Sequence, residues 1–165
     1  MEKLNLLRHC GIAFVLFLMS QVAVAQEGYK GIIPMVSSCH DVKNILGRGK
    51  CGEVDDLIKL PKETLWVYYT TKECEEFYGK KWNVPIGTVV SVTRFFRKPP
   101  TLDDLGITII ESEYNKSYTD AVGQIIYEKK DGGLNLIVEN KRVSNIEYTP
   151  TFEDNSKFCK CAKCL

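Results

Sequence analysis

Apolar and polar residues fall along this chain in a pattern that predicts one helix followed by a run of strands. Leu65-Trp-Val-Tyr-Tyr-Thr-Thr71 is rich in aromatic and β-branched residues and reads as a strand. Thr88-Val-Val-Ser-Val-Thr-Arg-Phe-Phe96 reads as a second, ended by Pro99-Pro100. Three more form a meander: Gly123–Glu128, Leu134–Glu139 and Arg142–Tyr148. The Asp131-Gly132 pair between the first two of these is a strong hairpin signal. Asn140-Lys141 is a weaker one, because a type I′ turn favours Gly at its second position.

Ahead of the strands, Gly31–Val36 is an extended lead-in to a helix. Ser38 is placed to cap it, Asp41 follows three residues later, Val42, Ile45 and Leu46 share one face, and Gly47 supplies a left-handed end. Thr101 and Asp104 cap a single helical turn before Gly106. Residues 48–56 read as a polar loop, 72–85 as a long polar connection, and everything from Thr149 as a polar tail. The expected fold is α+β: one N-terminal helix packed on an antiparallel sheet of about five strands, with a C-terminal β-meander.

The first residues change the picture of where this happens. Lys3 and Arg8 precede the apolar run Gly11–Met19, and Ala23-Val-Ala25 forms a small-x-small cleavage site. That is the pattern of a removable export signal, and the apolar run is well short of the roughly 20 residues that span a bilayer. The expected organisation is therefore a signal peptide over 1–25, a single domain over 26–148 and a cysteine-rich tail over 149–165. The expected location is periplasmic or extracellular, with no stable membrane insertion after cleavage.

The whole chain carries 22 Lys and Arg against 21 Asp and Glu. Removing Glu2, Lys3 and Arg8 balances the two signs. A neutral chain has no global electrostatic reason to bind nucleic acid. Cys10 is lost with the leader, which leaves Cys39, Cys51, Cys74, Cys159, Cys161 and Cys164. An even count in an exported chain reads as a disulfide framework with 15 formal pairings. The expected bonds are Cys39 to Cys51, tying the helix start to the loop after it, and Cys74 to Cys159, pinning the tail to the end of the first strand. Cys161 and Cys164 then pair with each other or stay free.

Candidate chemistry is sparse, and no catalytic constellation is found. With His9 in the leader, His40 is the one imidazole of the exported chain, so multi-histidine zinc within one chain is excluded. It reads as a solvated residue on the first turn of the helix. Cys159-Lys-Cys161-Ala-Lys-Cys164 places three thiols close enough to hold a soft metal or act in redox exchange, against the disulfide reading that the compartment favours. Asp55-Asp56, Glu73 with Glu75-Glu76, and Asp103-Asp104 are acidic clusters in polar segments, read as solvated surface rather than as a glycosidase pair. Trp82, in the long connection, is a candidate anchor for a partner, or else a lid over the sheet edge. Tyr68, Tyr69, Phe95 and Phe96 divide between the two sheet faces. Asn115-Lys-Ser117 matches a glycosylation acceptor, and Gly47-Arg-Gly49 lacks the context of a phosphate loop.

The stretch Ile33-Pro-Met-Val-Ser-Ser-Cys-His-Asp-Val-Lys-Asn-Ile-Leu-Gly47 resembles the opening of the SmpA/OmlA-like outer-membrane lipoprotein domains and the β-lactamase inhibitor proteins. Their cap, acidic-Val pair and Leu-Gly helix end are all present, although Met35-Val36 stands where those families have glycine. The resemblance implies a helix first and an antiparallel sheet after it, and carries over no functional residue. Ile33-Pro34, Cys39–Lys43, Trp82–Thr88 and Tyr148–Pro150 are similar to a family of uncharacterised exported bacterial proteins. That similarity implies one domain with cysteines at 39, 51, 74 and 159. The function expected from all of this is an exported, non-catalytic interaction or structural domain with a protein partner and no cofactor. The alternative is a metal-binding or thiol-redox protein working through Cys159, Cys161 and Cys164.

Overall fold

The computed structural model describes residues 28–158 apart from 78 and 122, with the backbone alone at 155 and 156. The expected leader over 1–25 and the cysteines at 159, 161 and 164 lie outside the described residues. Helix α1 (Cys39–Leu46) opens the fold. Nine strands follow: β1 (Asp55–Lys59), β2 (Glu63–Tyr69), β3 (Glu75–Phe77), β4 (Lys80–Trp82), β5 (Val89–Phe96), β6 (Tyr114–Tyr118), β7 (Gln124–Lys129), β8 (Gly132–Glu139) and β9 (Arg142–Thr151). A 3₁₀ turn (Asp103–Leu105) sits between β5 and β6, and helix α2 (Phe152–Phe158) closes the described chain.

Seven strands form one antiparallel sheet in the order β1-β2-β5-β9-β8-β7-β6, while β3 and β4 make a separate hairpin. The fold is therefore mostly antiparallel sheet with few helices, and it is more β-rich than the expected five strands. The added members are β1, β3, β4 and β6, all at an edge or in the side hairpin. The expected tail is corrected too. β9 runs past position 148 to Thr151, with Thr149 and Pro150 buried, and α2 follows. The start of α2 is capped by Thr151 and Asp154, each of whose side-chain oxygens accepts the other's backbone N–H.

Chain order explains which face is covered. After β5 the chain must reach β6 on the far edge, four strand spacings away, or roughly 19 Å. It travels across one face, and Leu102, Leu105, Ile107 and Ile109 pack down on Leu134, Leu136, Val138, Val143 and Ile146. The other half of that face lies under the N-terminal segment and α1. Tyr29, Ile32, Cys39 and Val42 there meet Ile58, Leu65, Val67, Tyr69 and Val92. Helix α1 is placed by the expected capping box of Ser38 and Asp41 and ends at Gly47 with φ 68°. The Cys39–Cys51 disulfide then ties its first residue to the following loop, with Cα atoms 5.4 Å apart.

Where the two covers meet, the sheet buries an ion pair. Arg94 Nε donates to Glu63 Oε2 at 2.8 Å, and the Tyr29 hydroxyl donates to Glu63 Oε1 at 2.6 Å. The guanidinium lies 4.8 Å from the ring centroids of both Tyr29 and Phe96, and donates to the Tyr148 hydroxyl. The N-terminal segment is thus held to β2, β5 and β9 through one cation. Tyr29 is held protonated well above the ordinary tyrosine range, first by burial and then by the adjacent Glu63 carboxylate. Burial, followed by Asp56, does the same to Tyr69. Its hydroxyl is buried and has no hydrogen-bond partner among the described residues.

Two outcomes follow. As pH rises past about 10, the unfolded chain releases its tyrosine protons before the native one does. Raised native values therefore give stability that is complete below that pH and declines above it, by up to ~1.4 kcal/mol per pH unit for each of the two tyrosines. Urea midpoints at pH 9, 10 and 11 measure this. Tyr69→Phe should shallow the fall and gain about 1 kcal/mol at neutral pH by removing an unpaired buried hydroxyl. A flat profile contradicts the assignment. The paired substitution Cys39→Ala with Cys51→Ala opens a loop of sequence separation 12. Chain entropy puts its cost at about 3 kcal/mol, read from the same urea curves.

Candidate functional site

The residues singled out from the sequence mostly serve the fold. Cys39, His40 and Cys51 are the one group of metal-capable side chains found within reach of one another among the described residues. Cys39 and Cys51 are joined, so neither offers a thiolate. His40 is exposed beside them, with Nδ1 3.9 Å from the Cys51 sulfur. Cys74 is also disulfide-bonded. The expected partner, Cys159, and the metal or redox candidates Cys161 and Cys164 fall outside the described residues. Phe158, one residue before Cys159, accepts a backbone hydrogen bond from Asn83, which places the end of α2 against the hairpin that follows Cys74.

Trp82 requires a correction. Only 1 % of it is exposed, it packs with Met35, Val84 and Val90, and its indole N–H donates to the Phe77 carbonyl. It is a core residue of the β3–β4 corner, not a surface anchor. A tryptophan on a short strand beside Val84 has more apolar surface to bury than a loop would supply, which is why the lid reading prevails.

The acidic clusters are dismantled in the same way. On β1, Asp55 and Asp56 point to opposite faces; Asp55 accepts the Trp66 indole N–H, and Asp56 accepts the Lys50 backbone N–H. Burial acts to raise the Glu75 carboxyl, but hydrogen bonds from Thr71 and Lys72 outweigh it and hold the group low. Asp104 is lowered by the Thr101 backbone and hydroxyl that it caps. These are turn and cap carboxylates.

What the strands build together lies on the other face of the sheet. Alternation along β2 sends Leu65, Val67 and Tyr69 to the covered side, and Trp66 and Tyr68 to the opposite one. In register with them, β5 contributes Ser91, Thr93 and Phe95, and β9 contributes Asn145 and Glu147. Asn135 and Ile137 from β8, Ile126 and Glu128 from β7, and Ser117 from β6 complete the row. All of them line one hollow of about 600 Å³, closed at its β2 end by Phe77 of the small hairpin. For six neighbouring strands to line a single hollow, the sheet must curve toward this side. The register breaks at Tyr68/Tyr69, Gly132/Leu134 and Ile137/Val138 supply local bends.

The hollow has two ends of different character. At the β2 end, the Trp66 and Tyr68 ring centroids lie 4.8 Å apart, with Phe95 6.4 Å from Trp66 and 36 % exposed. Leu57, paired across from Trp66 on β1, adds a further exposed apolar side chain. Toward β7 the surface is polar: Asn135 pairs in register with both Glu128 and Glu147 and donates to the latter at 3.1 Å. Tyr68 links the two ends. Partial desolvation first, and then the Asp55 and Glu147 carboxylates, raise its hydroxyl above the ordinary range.

Of these residues, Tyr68 and Phe95 belong to the aromatic stripe that the sequence divides between two faces, and they lie on the opposite face from Tyr69 and Phe96 as that alternation predicts. Trp66 was not singled out, although its alternation with Leu65 and Val67 was the signal for it. Glu147 stands between Ile146 and Tyr148 and Glu128 between Tyr127 and Lys129, and the two flank Asn135 only through strand register. No protein-family model, no curated protein and no solved structure matches this chain.

Proposed function

We propose that this chain is an exported, non-catalytic domain that binds a protein partner across the concave sheet face. One observation carries the reading: Trp66, Tyr68 and Phe95 stand together, partly exposed, on the curved side of a sheet whose other side holds most of the core. A cluster of aromatic residues at one end of a hollow whose other end is polar offers the aromatic anchors on which interaction hot spots are built. The volume lies within the range of ligand grooves. The acidic groups along it leave a nucleic-acid backbone unsuited to this surface.

Export is supported by the leader pattern and by the Cys39–Cys51 disulfide, which needs an oxidising compartment. No helix among the described residues is long and apolar enough to cross a membrane. A mature N-terminus at Gln26, read by mass spectrometry of the secreted or periplasmic protein, is the expected result; an intact chain inside the cell with reduced thiols overturns this part.

Binding is tested with the pair Trp66→Ala and Phe95→Ala. Both side chains lie outside the main core, so the far-UV spectrum should match the parent's, while loss of the half-buried Trp66 ring and its bond to Asp55 lowers the unfolding midpoint only modestly. A partner captured from the extracytoplasmic extract by the parent protein should lose affinity by about 2 kcal/mol or more with the pair, roughly 30-fold. A partner held equally by both proteins removes this face from the reading.

A further inference from the structure

We infer that the occupant of the groove is a cationic segment of the partner polypeptide, extended across the strands with Lys or Arg side chains on the aromatic pair and against Asp55, Glu147 and Glu128. The inference rests on the groove being the binding face and gives that face its ligand chemistry.

Charge is the first argument. The chain as a whole is nearly neutral, at a formal +1. The charged residues that line the groove are Glu128 and Glu147, with no Lys, Arg or His among its lining, and Asp55 adds a third carboxylate beside Trp66. Lys59 shares this face at the far end of β1, next to the sheet margin. Lys80, Lys129 and Lys130 line an adjoining hollow that shares Glu128 and Asn135 with the groove, so the Glu128 end is flanked by positive charge. A further hollow of about 650 Å³ at the end of β2 and β5 carries Lys62, Arg94, Arg97 and Lys98. That basic hollow makes a weaker site, because Arg94 is already matched by Glu63 and Asp104 stands among the rest. Within the groove lining itself the charges are all negative, and Asp55 and Glu147 are the ones that stand beside the half-exposed aromatic rings.

Local geometry is the second. A cation above the Trp66 or Tyr68 ring meets the negative face of the π-system. The same position lies between Asp55, which holds the Trp66 indole N–H at 2.6 Å, and Glu147, whose field already acts on the Tyr68 hydroxyl. Ring and carboxylate therefore attract the same group. An acidic or phosphorylated segment would be repelled at every one of these positions.

Spacing is the third. From β1 to β9 is three strand gaps, roughly 14 Å, and from β9 to β7 two gaps, roughly 10 Å. An extended chain repeats its same-side residues about every 7 Å, so basic residues four apart span the first interval. A free amine or a single amino acid reaches only one of the three carboxylates. A polypeptide running across the strands reaches all of them.

The chain has two tryptophans, and with Trp82 buried the fluorescence response to a ligand reports on Trp66. The probes are three capped octapeptides alternating Thr with Lys, Gln or Glu, and the uncharged sugar cellohexaose. Saturable quenching by the Lys peptide alone is expected. Glu147→Gln and Asp55→Asn, which keep the hydrogen-bond acceptors, should each weaken it by about tenfold. Raising NaCl from about 0.05 to 0.5 M should weaken it further, as screening shortens the reach of the carboxylates. Equal binding of the Gln peptide or the sugar, indifferent to both substitutions and to salt, overturns the cation preference while leaving the face in place. No response to any probe, from a protein whose Trp66→Ala variant still holds its partner, overturns both.

Discussion

The structure is governed by a mismatch between the width of its sheet and the length of its helices. Seven strands span about 29 Å, whereas an eight-residue helix is about 12 Å long. A helix of that size covers two or three strands and no more. The rest of the apolar side must be sheltered by chain that has no regular structure of its own. The segment before α1 and the long link from β5 to β6 do this, and the link lies on that side because the chain has to cross the sheet to start its meander. After both covers are spent, little remains for the opposite side beyond the β3–β4 corner. Its aromatic and polar mixture is what a half-exposed face carries.

Because two independent segments share one covering role, their junction needs a fixed register. The Glu63–Arg94 pair occupies that junction, joined to Tyr29 from one cover and Tyr148 from the sheet centre. Removing two charges from water costs several kcal/mol per ion, and their attraction returns much of it only when the remaining donors and acceptors are also paired. Here the carboxylate takes a hydroxyl on one oxygen and the guanidinium on the other, and the cation is sandwiched by two rings. The pair contributes little net stability by this reckoning. Its effect is on placement: a slip of the N-terminal segment by one residue strands a buried Glu without its Tyr29 donor. Losing Arg94 leaves Glu63 charged and buried, a penalty far larger than the stability that the pair confers, whereas Arg94 lines an open hollow and keeps some access to water.

How much of this the sequence reveals depends on the range of the interaction concerned. Capping is local, so α1 is legible from Ser38 to Gly47 and the 3₁₀ turn from Thr101 and Asp104. The same signal is present in Thr151-Phe-Glu-Asp154, yet the polar composition beyond it reads as a tail, and α2 is lost in that reading. The strands rich in β-branched residues are equally plain. Those that escape notice are short and polar because they lie at an edge or in a side hairpin, where one flank is solvated. Asn140-Lys141 shows the limit of turn chemistry: both residues adopt positive φ, at 49° and 64°, although lysine has a cost there that glycine lacks. The flanking register of β8 and β9 imposes the turn. The concave face was the least legible feature, since it exists only when β2, β5, β9, β8 and β7 are set side by side.

A partly exposed aromatic surface is a hazard as well as a resource. Contiguous apolar area promotes self-association, and open sheet edges extend the risk. The molecule meets both dangers with the same means. Its edges are five-residue strands that carry Lys59 and Lys116, and charges on an edge discourage pairing with another chain. On the concave side, Asp55 and Glu147 flank the rings, so two copies brought face to face bring like charges together. The repulsion that keeps the face from its own copies is attraction for a basic segment. The carboxylates thereby do two things with one placement: they make the aromatic hollow tolerable in water, and under the proposed binding they favour a cation as its occupant.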